Sequence, residues 1–147
     1  MYKIPRNVLT NYSIVAVDDE VDCLAVLART LQHYNATVYT ATNGQDALTI
    51  IQSIQPALVI SDLLMPRMDG WDMLKTLQRN PQLVQIPVIA LTAHTWRGDR
   101  QRALAAGFQT YLTKPLTPNI LIRELLLVLI ENGEITLDQA LIKHLPH

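Results

Sequence analysis

Residues 57–70 read ALVISDLLMPRMDG. Ala57 to Ser61 form a short apolar run rich in β-formers, the length of one strand, and Asp62 follows at its carboxyl end. Pro66 and Gly70 punctuate the loop beyond it. A helix-period stretch then runs from about Gly70 to Arg79 and stops before Asn80-Pro81. Strand, loop and helix make one βα unit.

The same alternation recurs outward in both directions. Further strands are expected at Ser13 to Val17, Thr37 to Ala41, Pro87 to Leu91 and Phe108 to Leu112. Leu24, Leu27, Ala28 and Leu31 follow i, i+3, i+4, i+7, and Ala47, Ile50, Ile51 and Ile54 repeat that spacing, so each set makes one apolar helical stripe. A fourth helix, the least apolar, is expected from roughly Trp96 to Ala106, with Gly107 as its stop. A fifth starts after Thr117, with Pro118 at its first position, and runs to Glu131 before Asn132-Gly133. Five βα units joined by right-handed crossovers give an α/β fold, a doubly wound five-stranded parallel sheet with helices on both faces. The strand order 2-1-3-4-5 follows from matching this alternation to the flavodoxin-like (βα)5 pattern.

A length of 147 residues suits one domain. The formal charge of −1 supplies no field that would attract nucleic acid or an anionic membrane, so neither is expected as a direct partner. The single cysteine, Cys23, has no mate and reads as a small buried hydrophobe. Met1 to Asn11 is polar and lacks the apolar core of a signal peptide. The longest aliphatic run, Leu125 to Ile130, is too short to span a bilayer, and a cytoplasmic location is the expectation.

In open parallel sheets, ligands bind beyond the carboxyl ends of the strands, where strand order reverses. The polar residues of this chain collect there. Strand 1 runs into Asp18-Asp19-Glu20, strand 3 into Asp62, strand 4 into Thr92, and strand 5 is followed by Lys114. Each alone has an ordinary reading as a helix cap, a turn residue or a solvated lysine. Together, Asp18, Asp19 and Asp62 would repel one another and raise their own pKa values unless a cation sits among them. Carboxylates without a His or Cys ligand set suit a hard ion such as Mg²⁺, which keeps waters and leaves a position for phosphate. Mg²⁺ and Lys114 together would balance the three carboxylates.

At this point the chain resembles a known family. Asp62-Leu63-Leu64-Met65-Pro66-Arg67-Met68-Asp69-Gly70 is similar to the D-x-x-M-P-x-x-D-G loop of two-component response-regulator receiver domains, of the stand-alone, chemotaxis-regulator-like kind. The acidic pair after strand 1, Thr92-Ala93 and Tyr111-Leu112-Thr113-Lys114-Pro115 also fall where that family has them. The resemblance implies a signalling switch rather than an enzyme acting on external substrates. It implies Asp62 as phosphoacceptor from a histidine kinase or phosphotransfer protein, with Asp62, Lys114 and Thr92 as the residues of that chemistry. It implies Mg²⁺ held by Asp19, Asp62 and the Leu64 backbone carbonyl, with Asp18 acting through water, and a cis Lys114-Pro115 bond that aims the lysine. Thr92 and Tyr111 become a switch pair, and Leu64 and His94 tune the lifetime of the phosphorylated form. With Leu64 and His94 in place of Asn and Glu, slow self-dephosphorylation is expected.

A phosphohydrolase of the haloacid-dehalogenase kind also uses an aspartyl phosphate beside Mg²⁺, but it needs a second Asp two residues after the nucleophile, where this chain has Leu64. A flavodoxin-like FMN carrier needs phosphate donors where Asp18-Asp19 stand. Gly70 and Met65-Pro66 read as shapers of the loop, and Arg97, Arg100 and Arg102 as a solvated basic face. The expected organisation is an N-terminal extension over 1–12, a receiver domain over 13–131, and a C-terminal extension over 132–147. That extension has the capping-box spacing of a short helix at Thr136 and Gln139. The fifth helix carries more apolar residues than one stripe needs. Leu121, Leu127, Val128 and Ile130 are therefore expected to form a patch, covered by residues 134–145 or by a homodimer through helix 4, strand 5 and helix 5.

Overall fold

The computed structural model describes residues 4–93 and 97–136. In chain order the elements are β1 (Ser13–Val17), α1 (Val21–His33), β2 (Thr37–Ala41), α2 (Gly44–Ile54), β3 (Leu58–Ser61), α3 (Gly70–Gln78), β4 (Val88–Thr92), α4 (Asp99–Ala106), β5 (Thr110–Thr113) and α5 (Pro118–Glu131). All strand pairs are parallel, in the order β2-β1-β3-β4-β5. The order reverses between β1 and β3, where Val17 lies beside Ser61. The residues following these two, Asp18 and Asp62, are thereby brought to one point.

The alternation of side chains along each strand builds two cores. Ile14, Ala16, Leu58, Ile60, Ile89 and Leu91 join the buried faces of α1 and α5. Val15, Val17, Val59, Val88 and Ala90 join α2, α3 and Ala103 of α4. The helices are fixed by the stripes read in the sequence and by polar caps: Asn43 accepts the Asp46 N–H, Asp69 the Asp72 N–H and Thr117 the Ile120 N–H. Helix α4 buries only Asp99 and Ala103, consistent with its weak pattern.

Several boundaries differ from the sequence expectation for local physical reasons. The fourth helix begins at Asp99, because Gly98 adopts φ +86°, a left-handed conformation that cannot continue a helix; Trp96 lies outside the described residues. β4 begins after Pro87, which has no N–H to donate, although its carbonyl accepts the Val59 N–H at 3.0 Å. Phe108 does not open β5. Its N–H closes α4 on the Ala103 carbonyl at 3.0 Å, and its buried ring meets Trp71 edge to face at 5.5 Å.

Of the four α5 residues expected to need cover, most are covered, and Ile135 of the segment expected to supply it lies in the same core. Leu121 and Val128 are buried, Ile130 packs half-buried against the same core, and only Leu127 of the four is exposed. Both ends of the described chain contribute to that core. Leu9 is fully buried, Ile4 and Val8 pack beside it, and Ile135 enters the same cluster. The segment before β1 is pinned by Leu9 N–H to the Tyr34 carbonyl at 3.0 Å and by the Tyr12 hydroxyl to the Glu134 carbonyl at 2.7 Å. The short helix expected after Thr136 lies outside the described residues.

Candidate functional site

The site is assembled by loops that backbone bonds hold in place. Asp18 leaves β1 with its N–H on the Ala41 carbonyl, and Asp62 leaves β3 with its N–H on the Val17 carbonyl at 2.9 Å. One oxygen of Asp18 turns back to accept the Glu20 N–H at 2.9 Å, setting the entry to α1. One oxygen of Asp62 accepts the Leu64 N–H at 3.3 Å.

The loop after Asp62 is held from two sides by glycines. A Cβ on Gly70 would stand 2.3 Å from the Asp62 carbonyl oxygen, and one on Gly44 would stand 2.7 Å from the Met68 carbonyl oxygen. Only glycine permits either approach. Arg67, at φ +67°, makes the bend between them. Gly70 therefore shapes the loop, as read from the sequence, and it does so in contact with the Asp62 backbone itself.

Lys114 comes from beyond β5, with its N–H on the Thr92 carbonyl at 2.9 Å, and the Lys114-Pro115 bond is cis, as the resemblance implied. Its ammonium meets three carboxylates: Asp18 Oδ2 at 2.5 Å, Asp62 Oδ2 at 3.1 Å and Glu20 Oε1 at 3.7 Å. Asp18 and Asp62 are almost wholly buried. Burial pushes the Asp18 carboxyl above the usual carboxylate range, more than its bond to Lys114 lowers it. Burial alone would lower the lysine's pKa, but its hydrogen bonds to Asp18 and Asp62 and their charges outweigh it and hold the ammonium above its ordinary value.

The ligand atoms of Asp18, Glu20 and Asp62 lie within 4.8 Å of one another. The trio and the one ammonium carry a net charge of −2, and Asp19 beside them adds to it, which favours a divalent cation. An all-oxygen donor set of this kind fits a hard ion such as Mg²⁺. Glu20 and Asp62 open onto a cavity of about 400 Å³ lined also by Asp19, Leu64, Asp69 and Ala93, wide enough for an ion with its waters and a phosphoryl group.

The crowded trio contains Glu20, to which sequence reasoning assigned no role. Asp19, exposed, lines the cavity beside Asp62 and Leu64 instead. The position of Glu20 directly after the acidic pair was the available signal. Asp69, read only as part of the loop motif, both caps α3 and lines the cavity. Thr92 is fully buried at the end of β4, and the Tyr111 ring is already buried in the core on the α3 and α4 side. Arg100 is not simply solvated, since it donates to the Tyr111 carbonyl at 3.0 Å. Cys23, expected as a buried hydrophobe, is only half-buried, with its Sγ 3.5 Å from Glu20 Oε2. His94 lies outside the described residues.

The model of the response regulator receiver domain matches residues 14–126. An uncharacterised 14.6 kDa protein of Leptolyngbya boryana is 40% identical over 115 residues, covering 78% of this chain and 88% of that one. The alkaline phosphatase synthesis transcriptional regulatory protein PhoP of Bacillus subtilis is 32% identical over 74% of this chain but 44% of its own length. The chain likewise spans half of a probable transcriptional regulator of Pyropia yezoensis. Among solved structures, the chemotaxis response regulator CheY4 of Vibrio cholerae superposes with a TM-score of 0.75 at 32% identity, over 81% of this chain and 99% of that one. The family model spans the strands and loops that gather the acidic site, and the chain belongs to the response regulator receiver domains, the phosphoacceptor modules of two-component signalling.

Proposed function

We propose that Asp62 is the phosphoacceptor of this receiver domain and that Mg²⁺ assists the transfer. The observation that carries the reading is the Asp62 carboxylate, on a side chain only 6% exposed, held at 3.1 Å by Lys114 and opening onto the acidic cavity. A carboxylate oxygen of Asp62 attacks phosphorus in line, the bond from phosphorus to the donor's imidazole nitrogen or acyl oxygen breaks, and the donor leaves with the electron pair. Lys114 then meets a phosphoryl oxygen, moving from carboxylate to phosphate without changing its charge. The Thr92 hydroxyl takes another oxygen, and the Tyr111 ring fills the space behind it. Asp19, Asp62 and the Leu64 carbonyl are the proposed ligands of Mg²⁺, with Asp18 acting through water. When bound, the ion supplies charge for the phosphoryl oxygens.

The chain is a switch and turns over no external substrate; the only reactions proposed for it are phosphorylation and dephosphorylation of its own Asp62. The donor is a histidine kinase or a phosphotransfer protein, and a homodimer through α4, β5 and α5 is a proposed output. Leu64, exposed on the cavity wall, offers no hydrogen bond to an attacking water. With His94 it is proposed to slow self-dephosphorylation, which a faster decay in Leu64→Asn/His94→Glu would support and a slower one would refute. Residues 13–131 are the proposed functional unit, to which the flanking segments contribute Leu9 and Ile135 of the core. Among the described residues no helix is long and apolar enough to cross a membrane; the cytoplasm is the proposed location.

The test is incorporation of label from acetyl phosphate, with and without Mg²⁺, in the wild type and in Asp62→Asn. Label that depends on Mg²⁺ and disappears in the variant supports the reading. Wild-type incorporation in Asp62→Asn refutes it.

A further inference from the structure

We infer that Glu20 is a further positioning residue of this site, a third carboxylate that draws the divalent cation in and shares the hold on Lys114. The inference rests on the cation-assisted reading above. Its first support is geometric: one ammonium, with three N–H groups, stands among three carboxylates, and the third of them is Glu20.

Glu20 differs from its two companions in kind. Asp18 and Asp62 are buried, whereas the Glu20 side chain is 59% exposed at the mouth of the cavity. An exposed glutamate ordinarily turns into water. Here its backbone is pinned at both ends, the N–H by Asp18 and the carbonyl by the Leu24 N–H at 3.0 Å, because Glu20 is the N-cap residue of α1. Its two carboxylate oxygens face the ammonium of Lys114 and the thiol of Cys23. The side chain is thus directed across the site, and it forms part of the wall between the acceptor cavity and the groove beside α1.

A unit negative charge within 4.8 Å of the other ligand atoms acts strongly on a dication. Water at an exposed position and physiological salt reduce that attraction, leaving an expected effect of about fivefold on cation affinity. Asp22, exposed in the first turn of α1 and outside the trio, serves as the control, since it carries the same charge on the same helix.

The experiment is calorimetric titration of the full chain with MgCl₂ for the wild type, Glu20→Gln, Glu20→Asp and Asp22→Asn. The expected result is about fivefold weaker binding in Glu20→Gln, recovery to within about twofold in Glu20→Asp, and less than about a twofold change in Asp22→Asn. Wild-type affinity in Glu20→Gln overturns the inference and leaves the cation reading standing. Equal weakening in Glu20→Gln and Asp22→Asn also overturns it, since the effect would then be the diffuse field of the helix start. Absence of binding in the wild type would instead defeat the cation reading itself, and this inference with it.

Discussion

Replacing Lys114 with methionine keeps the length of the side chain and removes the only cation among the described residues that touches the acidic cluster. The lysine side chain is 12% exposed, and Asp18 and Asp62 are 3% and 6% exposed, so the substitution strands two buried carboxylates beside each other. Removing one partner of a buried pair costs about 3–5 kcal/mol in a closed interior. Here the cavity admits water on the side of Asp62, which brings the expected loss to about 2–4 kcal/mol without Mg²⁺. For a chain of this length that is roughly 5–15 °C in Tm. Lys114 has a folded pKa above its ordinary value, so its stabilisation is complete below the unfolded pKa and is lost only as pH rises through the folded one. The difference between variant and wild type should therefore be flat from about pH 7 to pH 9. Mg²⁺ should recover most of the loss, because it compensates the same carboxylates, and it should stabilise the variant more than the wild type. Urea unfolding in EDTA and in excess MgCl₂ measures both. A variant within about 0.5 kcal/mol of wild type in EDTA, or one that gains no more from Mg²⁺ than wild type does, refutes the charge argument.

Other consequences are equally direct. Leu9→Ala, at a fully buried position before β1, should cost about 2–5 kcal/mol by urea unfolding, a large loss for a residue outside every strand and helix. Gly70→Ala must displace the Asp62 carbonyl, so it should lose about 1–3 kcal/mol and slow labelling from acetyl phosphate; unchanged labelling would show that the loop tolerates the shift. The Asp18 carboxyl takes up its proton at a higher pH than an ordinary aspartate, so acidification favours the metal-free folded state and Mg²⁺ affinity should fall as pH is lowered from neutral, sooner than for an ordinary aspartate. Titration calorimetry at decreasing pH checks the sign, and tighter binding at the acid end would reverse it.

The fold was legible because its signals are periodic. β1 and β2 begin and end where their β-rich runs do, and the stripes of α1 and α2 mark their buried faces. Asp18, Asp62, Thr92 and Lys114 were placed by standing at strand ends, and the sheet order brings them together. Isolated contacts carry no such signal. Ile4, Val8 and Leu9 stand in a polar segment without a helical or strand period, so nothing in their spacing reveals that they join the core. For the same reason Leu121 and Val128 looked surplus when counted against one stripe, although both are buried in the core that α5 shares with α1 and the sheet. Glu20 was visible in the sequence, but a helix N-cap does not announce which way its side chain turns.

The central claim is that Asp62 takes the phosphoryl group within a cation-dependent acidic site, and locating the modified residue tests it most directly. The protein is treated with acetyl phosphate in MgCl₂ or in EDTA, trapped at low temperature, digested and mapped by mass spectrometry. The account predicts one phosphoryl group, on the peptide containing Asp62, present with Mg²⁺ and absent with EDTA. A phosphoryl group on any other residue, or one on Asp62 to the same extent in EDTA, would contradict it.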